Sequence, residues 1–439
     1  MSKYNVFVST SESTVVAEYE PQRTRSDAYQ SESALEAAFI KQLTEQGYER
    51  LELHDADALK ANLRVQIEAL NRFRFTDSEW QRFFTQNIAC ENDDIKKKSR
   101  RIQEDHVQIL KRDNGSSQNI RLIDKKNIHN NHLQVISQYE TKDGKYKNRY
   151  DVTILVNGLP LVHVELKRRG VALKEAFNQI NRYQRDSFQA GDGLYEYVQI
   201  FVISNGTHTK YYSNTTRSSA AREGEGRKRR ERKNTKNSFE VTSFWADADN
   251  RVIADLVDFT RTFFARNTLL NILTRYCVFT SEEMLLVMRP YQIAATERIL
   301  KKIEIADNYK KAGTTDAGGY VWHTTGSGKT LTSFKTAQLA SALDCVDKVL
   351  FVVDRKDLDY QTMREYDRFE KGAANGNSST KILKGQLEDP NARIIVTTIQ
   401  KLDRFIRANP RHPVMNQRCV LIFDECHRSQ FGDMHIALS

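Results

Sequence analysis

The stretch Val321-Trp-His-Thr-Thr-Gly-Ser-Gly-Lys-Thr-Leu331 constrains this chain more than any other. It reads as a strand end, a glycine turn and a helix start. Glycines admit positive φ and let backbone N–H groups face an anion. A helix N-terminus adds further unpaired N–H groups and a partial positive charge. Thr325, Gly326, Ser327 and Gly328 therefore read as a phosphate-binding loop. Lys329 would reach the β/γ-phosphates of ATP, and the Thr330 hydroxyl would ligate Mg²⁺. His323 stands where the general pattern has its first glycine, so the motif departs at one position.

A second segment supports that reading. Cys419-Val-Leu-Ile-Phe-Asp-Glu-Cys-His427 is an apolar run closed by two carboxylates. Such a run fits a strand buried on both faces of a parallel sheet. Ligands of those sheets gather at the carboxyl ends of the strands. Asp424 is placed to hold Mg²⁺, and Glu425 to orient or deprotonate the attacking water.

The first half carries a different chemistry. Asn148-Arg-Tyr-Asp-Val-Thr-Ile-Leu-Val156 alternates and then runs apolar, Asn157-Gly158 signals a hairpin, and residues 159–167 return as a second strand. Glu165 and Lys167 are two apart and share a strand face. Asp151 sits at the same end of the hairpin. Two carboxylates can hold a divalent cation whose shell is completed by water and phosphate oxygens. Lys167 could position a nucleophile or steady a transition state. Leu173, Phe177, Ile180 and Tyr183 then mark an amphipathic helix that carries Gln179 and Tyr183 on one side. Upstream, Glu32 or Glu36 could add a carboxylate, or could simply be a solvated helix start.

The hairpin register decides whether this site can exist. A plain two-residue turn pairs Val156 with Leu159 and brings Asp151 opposite Val164, on the wrong face for Glu165. A three-residue loop, or a local bulge, puts Asp151 level with Glu165. Pro160 lacks an N–H and already disfavours a regular ladder there. The metal site therefore requires a departure from the plain turn.

Composition narrows the class. The chain has 439 residues, 39% hydrophobic and 28% charged, which fits a globular protein of two or three domains. Five cysteines, odd in number and without a Cys-x-x-Cys spacing, argue for reduced thiols and against a zinc site. The start resembles no signal peptide, and no apolar run reaches the roughly eighteen residues of a membrane helix, so a cytoplasmic protein without a membrane partner is expected. A formal charge of +10 is compatible with a polyanion. Residues 217–236 hold nine basic side chains and almost nothing apolar, which predicts an unpacked segment. Two readings of it stand open, a solvated loop and an arm touching DNA phosphates. The same choice applies to Lys96-Lys-Lys-Ser-Arg-Arg101.

These motifs carry a resemblance. His323 to Thr330 is similar to motif I of the superfamily 2 helicases and translocases, and Asp424-Glu-Cys-His427 to their DExH box. Arg289-Pro-Tyr-Gln292 resembles their Q motif, which implies that Gln292 reads the adenine edge. Residues 349–355 and 394–400 resemble two further motifs of the same motors. Asp151, Glu165 and Lys167 across a hairpin resemble the PD-(D/E)xK nuclease motif, and Gln179 with Tyr183 the Gln-x-x-x-Tyr motif of RecB-like nucleases. The expected fold is α/β: a PD-(D/E)xK endonuclease domain over 1–260, then a RecA-like P-loop helicase lobe with a parallel sheet over 261–439. No segment reads as the second lobe, so the chain reads as the N-terminal part of a longer protein.

Nuclease first and motor second resembles the restriction (R) subunit of type I restriction–modification enzymes, of the IC type. The resemblance implies an ATP- and Mg²⁺-dependent translocase that cuts unmethylated double-stranded DNA, working with modification and specificity subunits. Two alternatives stay open. One is another helicase–nuclease of defence or repair, such as a type III restriction subunit, a family that usually places its nuclease after the motor. The other is a nucleotide-switched DNA-binding module that does not cleave.

Overall fold

In the computed structural model, residues 13–16, 19, 30–141, 148–188, 192–214, 239–324, 326–353, 363–364, 366–367, 369, 375–376 and 379–423 are described. They form two compact units, one of residues up to 279 with 283–291, the other of 280–282 with 292 onward.

The first unit is built on a six-stranded mixed sheet. Its order across the sheet is Glu49–Arg50, Leu133–Thr141, Asn148–Val156, Leu159–Leu166, Ile200–Ser204 and Thr209–Ser213. The hairpin Asn148–Val156/Leu159–Leu166 occupies the two central places. Every residue of Leu159–Leu166 is buried, as a central strand covered on both faces must be. Helix Glu32–Glu45 starts at Ser31, whose hydroxyl accepts the Ala34 N–H, and buries Leu35, Phe39, Ile40 and Leu43. Helix Leu173–Asp186 buries Phe177, Ile180 and Tyr183 at the spacing read from the sequence. Each such side chain contributes roughly 1.5–3 kcal/mol by leaving water.

The turn between the central strands is tightly specified. Asn157 and Gly158 both have positive φ, 52° and 82°, the pairing that matches strand twist in a two-residue turn. The Asn157 side chain accepts the His132 N–H and donates to the Leu122 carbonyl and to Asn131. A Cβ on Gly158 would stand 2.7 Å from the Leu63 Cα.

The first unit runs past residue 260. Helix Leu256–Thr262 packs on Glu32–Glu45, the Phe39 and Phe264 rings meet at 5.5 Å, and the Tyr48 hydroxyl donates to the Phe264 carbonyl.

The second unit contains a four-stranded parallel sheet among its described residues, ordered Asn375–Gly376, Ile394–Thr398, Lys348–Val353, Cys419–Phe423. Its core includes Leu350, Val352, Leu383, Ile395, Leu402 and Phe405. Lys348 is buried, and its ammonium donates to the carbonyls of Gln386, Asp389 and Ala392, closing the C-terminus of helix Thr380–Glu388. One expectation is corrected here. The residues before the glycine loop do not form a strand: 319–324 are irregular, with Tyr320 and Trp322 both 87% exposed. Strand Cys419–Phe423 pairs only with Lys348–Val353 among the described residues, and residues 319–324 do not pair with its other edge.

Gly158→Ala should be strongly destabilising, because it forces a left-handed alanine, roughly 1–2 kcal/mol, and adds the clash with Leu63. The check is a thermal melt; an unchanged midpoint would show that the turn is not held as described.

Candidate active site

A β-bulge in the central hairpin assembles the acidic site. Val156 pairs with Leu159 and Leu155 with Pro160, but Ile154 pairs with Val162. Leu161 is therefore the extra residue. From there Thr153 pairs with His163 and Val152 with Val164, which brings Asp151 level with Glu165. Asn-Gly sets a two-residue turn, and the bulge just beyond it restores the face. Pro160, with no N–H to give, sits where the ladder breaks.

The geometry is dense in charge. Asp151 Oδ2 accepts the Leu166 N–H at 2.9 Å. Glu165 is fully buried; its Oε1 accepts from Lys167 Nζ at 3.1 Å, and its Oε2 lies 3.5 Å from His163 Nε2. The Lys167 ammonium also donates to the Leu166 carbonyl. Burial, and then the charge of Glu165, pushes the Asp151 carboxyl up to about 7. Burial likewise raises Glu165 to about 7, against the pull of Lys167. Burial lowers Lys167, but Glu165 and Asp151 outweigh it and hold the ammonium charged. Two buried carboxylates side by side with one ammonium are short of positive charge.

The helix residues converge on the same place. Gln179 donates to the Tyr183 hydroxyl, which donates to the Arg149 carbonyl at 2.8 Å. Burial and the neighbouring Glu165 and Asp151 raise the Tyr183 hydroxyl. The two candidate glutamates reach the site from different sides of its carboxyl pair, Glu36 acting on Asp151 and Glu32 on Glu165. Glu36 is raised by burial and by Asp151, and accepts from Gln138, whose φ of 57° is unusual for a residue within a strand. Glu32 accepts the Arg168 N–H at 3.2 Å, and its charge also raises Glu165 and Lys167, so it too stands near the site. Sequence reading missed His163 and Gln138. A lone histidine inside the apolar run Leu159-Pro-Leu-Val-His-Val was the available signal for the first; nothing local marks the second.

The basic run 96–101 is engaged within the fold. It lies in helix Ile95–Gln103, where Lys96 meets Glu283, Lys97 and Arg101 meet Asp93, buried Lys98 meets Glu196, and Arg100 meets Glu104. Residues 217–236 lie outside the described residues.

In the second unit, helix Lys329–Ala340 begins directly after Gly328, with Gly326 and Gly328 at φ 78° and 80°. The Ser327 N–H and hydroxyl turn back to the Thr324 carbonyl. Gln292 donates its amide to the Ser327 carbonyl at 2.9 Å, so it touches the loop directly. Lys329 and Thr330 are half-buried at the helix start, and burial with the Lys329 charge lowers His323. Strand Cys419–Phe423 runs beside Lys348–Val353 and ends directly before Asp424. Thr325, Asp424 and Glu425 lie outside the described residues.

Comparison with known proteins decides the family. A model described as the N terminus of the type I restriction enzyme R protein matches residues 29–220, and one described as a SWI2/SNF2 ATPase matches 291–439. The endonuclease subunit of the Escherichia coli type I restriction enzyme EcoprrI is 50% identical over 291 residues, covering 66% of this chain and 88% of that protein. The chain belongs to the endonuclease subunits of type I restriction enzymes. The endonuclease subunit of SauCOLORF180P from Staphylococcus aureus (strain COL) is 41% identical over 422 residues, 93% of this chain. The chain spans 41% of the length of that relative. A Methanocaldococcus jannaschii relative, the MjaIXP endonuclease subunit, is 25% identical over 343 residues. No helix among the described residues is long and apolar enough to cross a membrane.

The acid pair makes a prediction about pH. Folded, both carboxyls keep protons to about pH 7; unfolded, they lose them near pH 4. The folded chain thus binds more protons between those values, so its stability falls as pH rises from about 4 to about 7. This is opposite to a salt-bridged carboxylate. Melting midpoints in a chelator should fall between about pH 5.5 and 7.5, and Asp151→Asn should flatten the decline. A midpoint that rises across that interval contradicts the burial of the pair.

Proposed function

We propose that this chain carries the nuclease and the first motor lobe of a type I restriction enzyme, a nuclease of the PD-(D/E)xK class followed by a RecA-like lobe. The observation that carries the reading is the bulged hairpin, which sets Asp151, Glu165 and Lys167 on one strand face. The substrate is double-stranded DNA. In the whole enzyme, cleavage of unmethylated DNA follows ATP-driven translocation, with modification and specificity subunits choosing the site and the cytoplasm as the compartment. The order of nuclease before motor and the match to the R protein N terminus favour this over a type III arrangement or a non-cleaving DNA-binding module.

The residues fit a divalent cation. Among the described residues no cluster of three or more acidic, His or Cys side chains is poised for a metal, but Mg²⁺ usually keeps several waters and needs only one or two carboxylates. Asp151 and Glu165 would hold it, with Glu36 beside Asp151 to orient a bound water. Bound there, the ion would acidify water and neutralise charge on the phosphorus. Asp151 is fixed by the N–H of Leu166, the residue next to Glu165. Lys167 brings positive charge beside the scissile phosphate. Tyr183 and Gln179 hold the Arg149 carbonyl and so fix the strand that carries Asp151.

In the second unit the loop 325–328 would wrap the phosphates of ATP, Lys329 would meet the β/γ-phosphates, and Thr330 and Asp424 would hold Mg²⁺. Glu425 would orient the attacking water, and Gln292 would read adenine while touching the loop. The 217–236 segment is either a solvated loop or an arm on DNA phosphates; in the second case neutralising Arg227 to Arg230 should reduce the salt dependence of binding, and an unchanged slope returns it to the first.

The two sites should be separable in the assembled enzyme. Asp151→Asn or Glu165→Gln should reduce plasmid cleavage to background while DNA-stimulated ATP hydrolysis continues. Lys329→Ala should abolish both. Cleavage at the parent rate by either carboxylate variant would remove the nuclease assignment.

A further inference from the structure

The central hairpin carries a polar strip inside an otherwise apolar sheet. Asp151 and Thr153 stand on one strand, His163 and Glu165 on the other, each pair two residues apart and hence on a single face. Thr153 and His163 are direct cross-strand partners. All four lie within the core's reach: Thr153 is 1% exposed, His163 and Glu165 are fully buried. The contacts form a line. The Tyr195 hydroxyl lies 3.2 Å from Thr153 Oγ1, Thr153 Oγ1 lies 3.3 Å from His163 Nδ1, and His163 Nε2 lies 3.5 Å from Glu165 Oε2. Neither His163 Nε2 nor Glu165 Oε2 has a closer hydrogen-bond partner. Rings of Tyr150, Tyr183, Phe188 and Phe201 surround the imidazole edge-on and offer it no polar alternative.

Building on the metal site proposed above, we propose that Thr153 and His163 are positioning residues that orient the Glu165 carboxylate from beneath. The hydroxyl of Thr153 donates to His163 Nδ1, which places the ring proton on Nε2, facing Glu165 Oε2. The Val152 carbonyl is also near the imidazole and competes for the opposite tautomer. Once Glu165 has lost its proton on cation binding, the ionised carboxylate selects against that tautomer, because an Nε2 lone pair facing a carboxylate oxygen leaves two buried acceptors opposed. With Oε2 held by His163 and Oε1 beside Lys167, the carboxylate plane is fixed. Such partners behind a ligand typically matter by about 10–100-fold in metal affinity.

The test is Mn²⁺ binding to the full-length chain, followed by calorimetry and by the electron paramagnetic resonance of the ion, with melting curves for each variant. Thr153→Val is close to isosteric and removes only the donor; His163→Phe removes the imidazole. Both should weaken Mn²⁺ about 10–100-fold, while Thr153→Ser and His163→Gln, which keep a hydroxyl and an N–H donor, should stay within a few-fold of the parent. Should His163→Phe fail to fold, Thr153→Val against Thr153→Ser decides alone. Parent-like affinity in Thr153→Val, or equal losses in Thr153→Val and Thr153→Ser, overturns the relay. Asp151→Asn with Glu165→Gln is the control for the site itself. If that pair leaves Mn²⁺ binding intact, the metal-site reading fails, whatever the relay variants do.

Discussion

The first unit depends on an electrostatic imbalance buried in its centre. Asp151 and Glu165 stand side by side between the two most buried strands, with Lys167 as the near cation and His163 beneath. Taking two carboxyls out of water costs several kcal/mol each unless charge or hydrogen bonds offset it. One backbone N–H, one ammonium and one imidazole offset part of that cost. The remaining deficit is the physical basis for proposing a divalent cation here, and it also keeps both carboxyls protonated to about pH 7. Everything nearby serves to hold this arrangement against its own repulsion: the fixed Asn157-Gly158 turn, the Leu161 bulge, and Tyr183 braced on the Arg149 carbonyl.

Much of this was legible in the sequence, for reasons specific to each element. The apolar run after Asp151, the Asn-Gly turn and the two-residue spacing of Glu165 and Lys167 encode local geometry directly. The need for a bulge followed from counting register, since a plain turn sends Asp151 to the other face. What could not be read was nonlocal. Gln138 lies one strand away and meets Glu36 only after the sheet forms. His163 gains its meaning from Thr153, ten positions earlier, once the bulge sets the pairing. The basic run 96–101 could be read either as a solvated segment or as a phosphate contact; Asp93 and Glu104 are local partners, but Glu196 and Glu283 reach it only through folding.

The second unit shows the converse limit. Strands Lys348–Val353 and Ile394–Thr398 are buried throughout, as continuous apolar runs in a parallel sheet should be, but Cys419–Phe423, expected to be covered on both faces, is an edge strand among the described residues and stays partly exposed. The segment 319–324 has the same apolar character but lies irregular and exposed. An edge strand, Cys419–Phe423, stands in the same unit, so suitable residues do not by themselves make a strand. Membership of the type I endonuclease subunits rests on the 50% identity with the Escherichia coli relative, and it agrees with the order of the two chemistries along the chain.

The central claim is that the bulge at Leu161 turns two carboxylates into a cation site. Crystals of the chain soaked in Mn²⁺ and measured at the manganese edge test it most directly. The account predicts an anomalous peak about 2.0–2.6 Å from oxygens of both Asp151 and Glu165. A map with Asp151 turned to the opposite face from Glu165, or with manganese bound elsewhere and none between them, would contradict it.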